Sequence, residues 1–366
     1  MTKNQARGYL YEILIAHLLI KNKFLECRKT NAINRLYRCG VISEKGEIRG
    51  RGTHHQIDFV GIYQKHIPFI YPIRLLAECK FWTEKRKYKP VDKSFIREYI
   101  GVYKDISENY FSPLMQVRTR FLDVPIIFSA GGFDEEAEKL SWAHGINLVS
   151  HSKLPIMVHI LEFINFIVDT LPSHYIKNKT RFQEVREFVY EIVRGHISGP
   201  QPQYPNIVNE IRNSLNHLPD SEAQIDGFIS LLDNVRKSQY NTFLFATTEY
   251  GKVINLISYD DFPDELFLGS EEQDCRVLFD ENSEIIQNEN SRVFYITLNN
   301  DEQNRQFYFQ ANETMLREDF SRLSLRERIN EKEKYFTNLT IMKEIRELTR
   351  LISLKVNFES VINRIR

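Results

Sequence analysis

Residues 72–82 read PIRLLAECKFW, and residues 57–63 before them read IDFVGIY. Both runs are short and rich in β-formers, with a His- and Pro-containing segment between them, so they predict two neighbouring strands. LLA leads directly into Glu78, Cys79 and Lys80. Side chains two apart on a strand share a face, so Glu78 and Lys80 point the same way. Asp58 lies on the earlier strand, where a hairpin would bring it beside Glu78. A solvated ion pair belongs in an alternating strand; this one ends an apolar run, which favours a site over a surface bridge.

Upstream, QARGYLYEILIAHLLI (5–20) is made of helix formers and is apolar nearly all round, which predicts a buried helix. Glu12 lies inside it, and a carboxylate buried there needs a partner, a metal ion being one possibility. Downstream, 92–110 shows helical spacing at Ile96, Ile100 and Tyr103, and VPIIFSA (124–130) is a compact apolar strand broken by Gly131 and Gly132. DEEAEKLSWAHG (134–145) opens on acids and closes on glycine, the punctuation of a helix, and INLVS (146–150) is another strand. The order α-β-β-α-β-α-β predicts an α/β fold with a mixed central sheet flanked by helices.

After Leu154 the pattern changes. Residues 156–195 read as mainly helical, GPQPQYP (199–205) as a linker or long turn, and a further helical section runs to about Lys237. Five strand-like runs follow within 241–311, and helical sequence is expected from about Thr314 to Arg366, with Ile341, Ile345, Leu348 and Ile352 as its apolar stripe. The expected organisation is therefore a catalytic domain over 1–155, a helical connecting region over 156–240, and an α+β C-terminal accessory domain over 241–366.

The formal net charge of +0 conceals an asymmetry. Residues 1–155 carry 25 Lys+Arg against 16 Asp+Glu, a balance of +9, and 156–366 carry 24 against 33, a balance of −9. A basic half joined to an acidic half points to a nucleic-acid partner for the first. Cys27, Cys39, Cys79 and Cys275 form no C-x-x-C pair and read as reduced thiols of a cytoplasmic protein. The N-terminus lacks the apolar run of a signal peptide. The most apolar stretch, 156–171, holds His159, Glu162, Asn165 and Asp169, so no membrane segment is expected. Signatures of P-loop NTPases, dinucleotide-binding dehydrogenases, zincins and serine hydrolases are all missing.

Two or three carboxylates suit a hard cation such as Mg²⁺. The ion would polarise a phosphodiester and activate a water, while Lys80 orients that water and stabilises charge developing on phosphorus. At this point the chain resembles a known family, the catalytic domain of Mrr-type restriction endonucleases within the PD-(D/E)xK nuclease superfamily. The resemblance spans about residues 5–155. It rests on Gly8 and Glu12, on Gly52 with HQIDFVG (55–61), on LLAECK (75–80), on Pro90-Val91, on VPIIFSAGGF (124–133), and on the helix-to-strand run from Ala137 into GINLV. It implies a restriction-endonuclease-like core in which Asp58 and Glu78 are metal ligands, Lys80 is the catalytic lysine and Glu12 a supporting acid. The implied cofactor is Mg²⁺, with Mn²⁺ as a workable substitute. The chain departs from the family at Thr53-His54-His55-Gln56, where an acidic or glycine-rich approach to the Asp is common.

Basic residues cluster around these motifs: Arg49 and Arg51 before Asp58, Lys85, Arg86, Lys87 and Lys89 after the central strand, and Arg118 and Arg120 before VPIIF. Such clusters are often only solvated loops, but beside carboxylates that repel phosphate they read as DNA-backbone contacts. His54 and His55 read as loop residues, with general base or phosphate ligand as the alternative. The acids of the second half, as in DDFPDE (260–265), read as solubility; a protein-partner surface or a lobe that keeps DNA off is the alternative. The expected function is a Mg²⁺-dependent endonuclease acting on DNA in restriction or anti-phage defence. A homodimer or a defence-complex partner is expected through the C-terminal half. A repair or junction-resolving nuclease, and a catalytically silent DNA-binding subunit, are the alternatives.

Overall fold

The computed structural model describes residues 1–27, 47–65, 70–84, 87–109, 120–194, 205–216, 220–237, 242–249, 251–267, 272–279, 291–312, 338–345 and 348–357. The first helix, α1 (Lys3–Lys21), begins at a capping box in which Thr2 and Gln5 satisfy each other's backbone N–H groups, and it buries Leu10, Tyr11, Leu14, Ile15, Leu18 and Leu19. Strands β1 (Phe24–Glu26), β2 (Ile48–Arg49), β3 (His54–His55), β4 (Phe59–Tyr63), β5 (Ile73–Lys80), β6 (Thr83–Glu84) and β7 (Lys87–Tyr88) follow. Next come α2 (Lys93–Ser107), β8 (Leu122–Ser129), α3 (Glu135–Ala143) and β9 (Asn147–Ser150).

Five of these strands form one mixed sheet in the order β1-β4-β5-β8-β9. Strand β4 runs antiparallel to β5 with Phe59 opposite Ala77, while β8 and β9 run parallel to it, Ile127 lying beside Glu78. Central β5 has helices over both faces, which is why its sequence is continuously apolar rather than alternating. Its odd-numbered residues Leu75, Ala77 and Cys79 pack in the core built on α1. On the other face Leu76 packs with Ile96 and Tyr99 of α2.

The segment expected to connect two halves is a packed layer. Helices α4 (Pro155–Thr170), α5 (Ser173–Lys177), α6 (Lys179–Val193), α7 (Pro205–Asn216) and α8 (Ser221–Lys237) follow β9, and α4 and α6 pack directly on α1. Arg7 of α1, almost fully buried, reaches Asn165 and Asp169 of α4 at 2.7 Å each. Helix α4 is apolar on nearly every side because α1, α7 and α8 surround it. Among the described residues no helix is long and apolar enough to cross a membrane.

Strands β10 (Thr242–Thr248), β11 (Val253–Ser258), β12 (Glu272–Phe279), β13 (Ser291–Leu298), β14 (Phe307–Asn312), β15 (Asn338–Ile345) and β16 (Leu348–Asn357) close into a seven-stranded barrel ordered β10-β11-β14-β13-β12-β16-β15. The five runs read as strands are strands β10 to β14. The C-terminal helix is a correction. Residues 338–345 and 348–357 form an antiparallel hairpin with Ile341 opposite Ile352. A spacing of four fits a helix face and, being even, also fits one face of a strand. The discriminating pattern is period two: Leu339 and Ile341 on one strand, and Ile352, Leu354 and Val356 on the other, all point into the barrel. Residues 314–337, 346–347 and 358–366 of that expected helix lie outside the described residues.

The thiols also depart from expectation: Cys79 and Cys275 are free and buried, but Cys27 is disulfide-bonded. The barrel sits against the first sheet at a buried junction. His151, just after β9, is fully buried between the Tyr11 hydroxyl at 2.9 Å and the Asn255 amide of β11 at 3.2 Å. Burial depresses its pKa to about 3, so the ring is neutral.

The hairpin assignment predicts a contrast between near neighbours. Leu354→Ala should destabilise the protein by about 2–5 kcal/mol, whereas Leu351→Ala, at a position 57% exposed, should change stability by less than about 0.5 kcal/mol. Equal losses in urea denaturation would count against the strand.

Candidate active site

The parity of β5 places Glu78 and Lys80 on the α2 face, and the antiparallel register carries Asp58, next to Phe59, to the same place. The Lys80 ammonium donates to Glu78 Oε2 at 2.6 Å and lies 3.5 Å from Asp58 Oδ2. Asp58 Oδ2 also accepts the backbone N–H of Cys79 at 2.8 Å, which fixes the carboxylate against the strand. The side chains of Lys80 and Asp58 are 16% exposed and that of Glu78 is 10% exposed, so one edge of the cluster meets solvent.

Electrostatics follow from this crowding. Burial, and then the neighbouring Asp58, raise the Glu78 carboxyl from 4.5 to about 7, against the pull of Lys80. For Lys80, burial works to lower the pKa, but Glu78 and Asp58 outweigh it and hold the ammonium above its ordinary value. Two acids share one base, and the cluster carries an excess negative charge when all three ionise.

Beside Lys80 pack aromatic residues not singled out from the sequence. Lys80 Nζ lies 4.5 Å from the centre of the Phe95 ring, a cation–π contact. Phe95 stacks on Tyr99 at 7° between planes and meets Trp82 edge-on. The Tyr99 hydroxyl donates to the Leu76 carbonyl at 2.6 Å, anchoring the stack to β5. Helix α2 enters correctly because Asp92 caps it, accepting from Ser94 and Phe95 N–H. The chain beside the site is tightly threaded: a Cβ on Gly131 would lie 2.4 Å from the Lys89 carbonyl, and Gly132 has φ of +78°.

Asp58, Glu78 and Lys80 are brought together as expected; Glu12 comes from a different element. It belongs to α1, on the Cys79 side of β5, and its charge helps raise the buried Cys79 thiol, behind burial itself and Asp58. Among the described residues no three His, Cys, Asp or Glu side chains converge as a metal cluster. His55 bonds to Asp105 of α2 at 2.7 Å, and Asp105 also accepts from Gly52 N–H, so this histidine fastens the β2–β3 hairpin. Arg51, on that hairpin, pairs with Glu108 at 3.0 Å; the Arg49 carbonyl accepts from Asn109. Lys89 is exposed. Lys85 and Arg86 lie outside the described residues, as does Arg118, and of Lys87 only the backbone, on β7, is described.

No protein-family model matches the chain, and no curated protein matches it. A solved structure titled "Crystal Structure of Protein of Unknown Function AF1548" is similar at 18% identity and a TM-score of 0.32, over 62% of this chain and 97% of that one. Likeness at that level carries no argument about fold or function.

The elevated Glu78 carboxyl predicts a pH-dependent stability. Its contribution is complete below the ordinary carboxylate pKa and is lost as pH rises through about 7. Without divalent metal, the native protein should therefore lose about 2–3 kcal/mol relative to Glu78→Gln between pH 4 and 8. Urea denaturation at each pH measures the gap, and parallel stability curves for the two proteins would rule out a raised Glu78.

Proposed function

We propose that the chain is a Mg²⁺-dependent endonuclease that hydrolyses DNA phosphodiesters, built on a restriction-endonuclease-like core of the Mrr type. A role in restriction or anti-phage defence fits it best. The observation that carries this reading is the convergence of Asp58 Oδ2 and Glu78 Oε2 on a single cationic point, the Lys80 ammonium, at a partly open edge of the sheet.

The donor set fits the ion. Mg²⁺ is commonly held by one or two carboxylates and keeps water on its other positions. Asp58 and Glu78 would hold it, and their excess negative charge, expressed in the Glu78 carboxyl at about 7, is what a dication would neutralise. When bound, the ion polarises the phosphodiester and supplies a water of lowered pKa.

The other roles fall to the chain itself. Asp58 is kept in one rotamer by the Cys79 N–H, so it needs no reorganisation to act. Lys80, over the Phe95 ring at 4.5 Å, would stand beside a phosphate that reached the open edge of the cluster. There it stabilises the developing negative charge. The basic half supplies non-specific attraction for the phosphate backbone, with Arg49, Arg51 and Lys89 as contact candidates.

Incubation of the full chain with plasmid DNA and Mg²⁺ tests this. Asp58→Asn and Lys80→Met should each lower cleavage by about 10²–10³-fold or more, and chelation should abolish it. At limiting Mg²⁺ the rate should rise with pH through about 7 as Glu78 ionises. Cleavage that survives both substitutions overturns the assigned site; salt-sensitive DNA binding with no cleavage under any condition favours a silent DNA-binding subunit instead.

A further inference from the structure

The face of β5 that carries Glu78 and Lys80 continues past the end of the strand. Trp82 stands two residues beyond Lys80 and leads into the β6–β7 hairpin, where Thr83 pairs with Tyr88 and Glu84 with Lys87. The Lys89 N–H donates to the Trp82 carbonyl at 2.9 Å, which extends that register by one pair. Residues opposite each other in an antiparallel pair share a side, and successive residues alternate. Thr83 and Tyr88 take the side of α1 and α4: the Thr83 hydroxyl donates to Asn4 at 3.2 Å, and the Tyr88 hydroxyl accepts from Asn165 at 2.8 Å. Trp82 and Lys89 therefore fall on the α2 side, the side of Glu78 and Lys80.

The indole rests against the core of that side and is only partly buried there. It meets the Phe95 ring at 5.8 Å between centroids and 85° between planes. The same Phe95 ring carries Lys80 Nζ at 4.5 Å, so Trp82 and Lys80 are neighbours through one shared ring. An edge-on contact covers at most one face of an indole. Among the described residues no other ring or cation lies against Trp82, and its indole N–H has no acceptor. Lys89 is exposed, and among the described residues no carboxylate pairs with it. A flat aromatic face beside a free cation is the combination that holds an unstacked nucleotide, base on the ring and phosphate on the charge. Inside a duplex both faces of each base are covered by its neighbours, so only a base outside the stack can use such a ring.

We propose that Trp82 is a stacking platform for an unpaired base of DNA, with Lys89 holding the phosphate beside it. The proposal rests on the reading of Asp58, Glu78 and Lys80 as the cleavage site and narrows its substrate class. A single strand, a gap, a flap or a branch is favoured over continuous duplex. The platform is held in place by the hydrogen bond from Lys89 to Trp82 and by the close approach of Gly131 to the Lys89 carbonyl.

The chain has two tryptophans, Trp82 and Trp142, so the full chain carrying Trp142→Phe reports on Trp82 alone. With a chelator present to prevent cleavage, a short oligothymidylate should quench its fluorescence saturably, and a blunt duplex of equal length should not. In the wild-type background, Trp82→Ala should weaken binding of a labelled oligothymidylate about tenfold and leave duplex binding unchanged, and Trp82→Phe should restore most of the loss. Lys89→Gln should weaken single strand and duplex alike and lower the salt dependence by about one phosphate contact. Equal quenching by duplex and single strand, quenching by neither, or single-strand binding untouched by Trp82→Ala would overturn the proposal. The quenching comparison decides the matter alone if circular dichroism shows that Trp82→Ala does not fold. Quenching by a protein that cuts nothing keeps the platform and overturns the nuclease reading; cleavage without quenching does the reverse.

Discussion

Strand β5 carries a carboxylate and an ammonium into an interior that would reject either one alone. A buried ion pair seldom adds net stability, but losing one partner of such a pair costs roughly 3–5 kcal/mol. Glu78 and Lys80 are therefore bound to each other's presence, and Asp58 makes their balance uneven. With two acids and one base the cluster cannot be neutral while all three are ionised. A proton on Glu78 relieves that excess, which agrees with its carboxyl standing at about 7.

Much of this was legible because a strand alternates strictly. Glu78 and Lys80 share a face in any strand that contains both, and Asp58 follows from hairpin register, so the three candidate residues could be placed together without coordinates. Glu12 could not be placed in the same way. Its helix packs against the odd-numbered face of β5, a choice made by Leu75, Ala77 and Cys79 jointly and invisible in the helix alone. The aromatic stack was missed for a different reason. Phe95 and Tyr99 lie at helical spacing and look like ordinary core, and only the packing of α2 turns them under Lys80. The hairpin of β15 and β16 was misread because an interval of four residues satisfies both periodicities. Its β-branched content was the better signal.

The helical layer and the barrel change what the charge asymmetry means. The −9 half is not a separate acidic appendage, since α4 and α6 cover α1 and Phe243 and Ile257 of the barrel join the core built on it. Basic and acidic halves are thus fixed beside each other.

Barrel closure adds a constraint on partners. A sheet offers unpaired backbone groups at its edges, and closure removes them, so the barrel has no edge on which to add a strand. The first sheet has two edges, but β9 runs beside β11 of the barrel, where His151 joins Tyr11 to Asn255. The opposite edge, β1, is three residues long. Among the described residues neither edge offers a long template for pairing. The neutral His151 joins the barrel to the first sheet by hydrogen bonds rather than by charge.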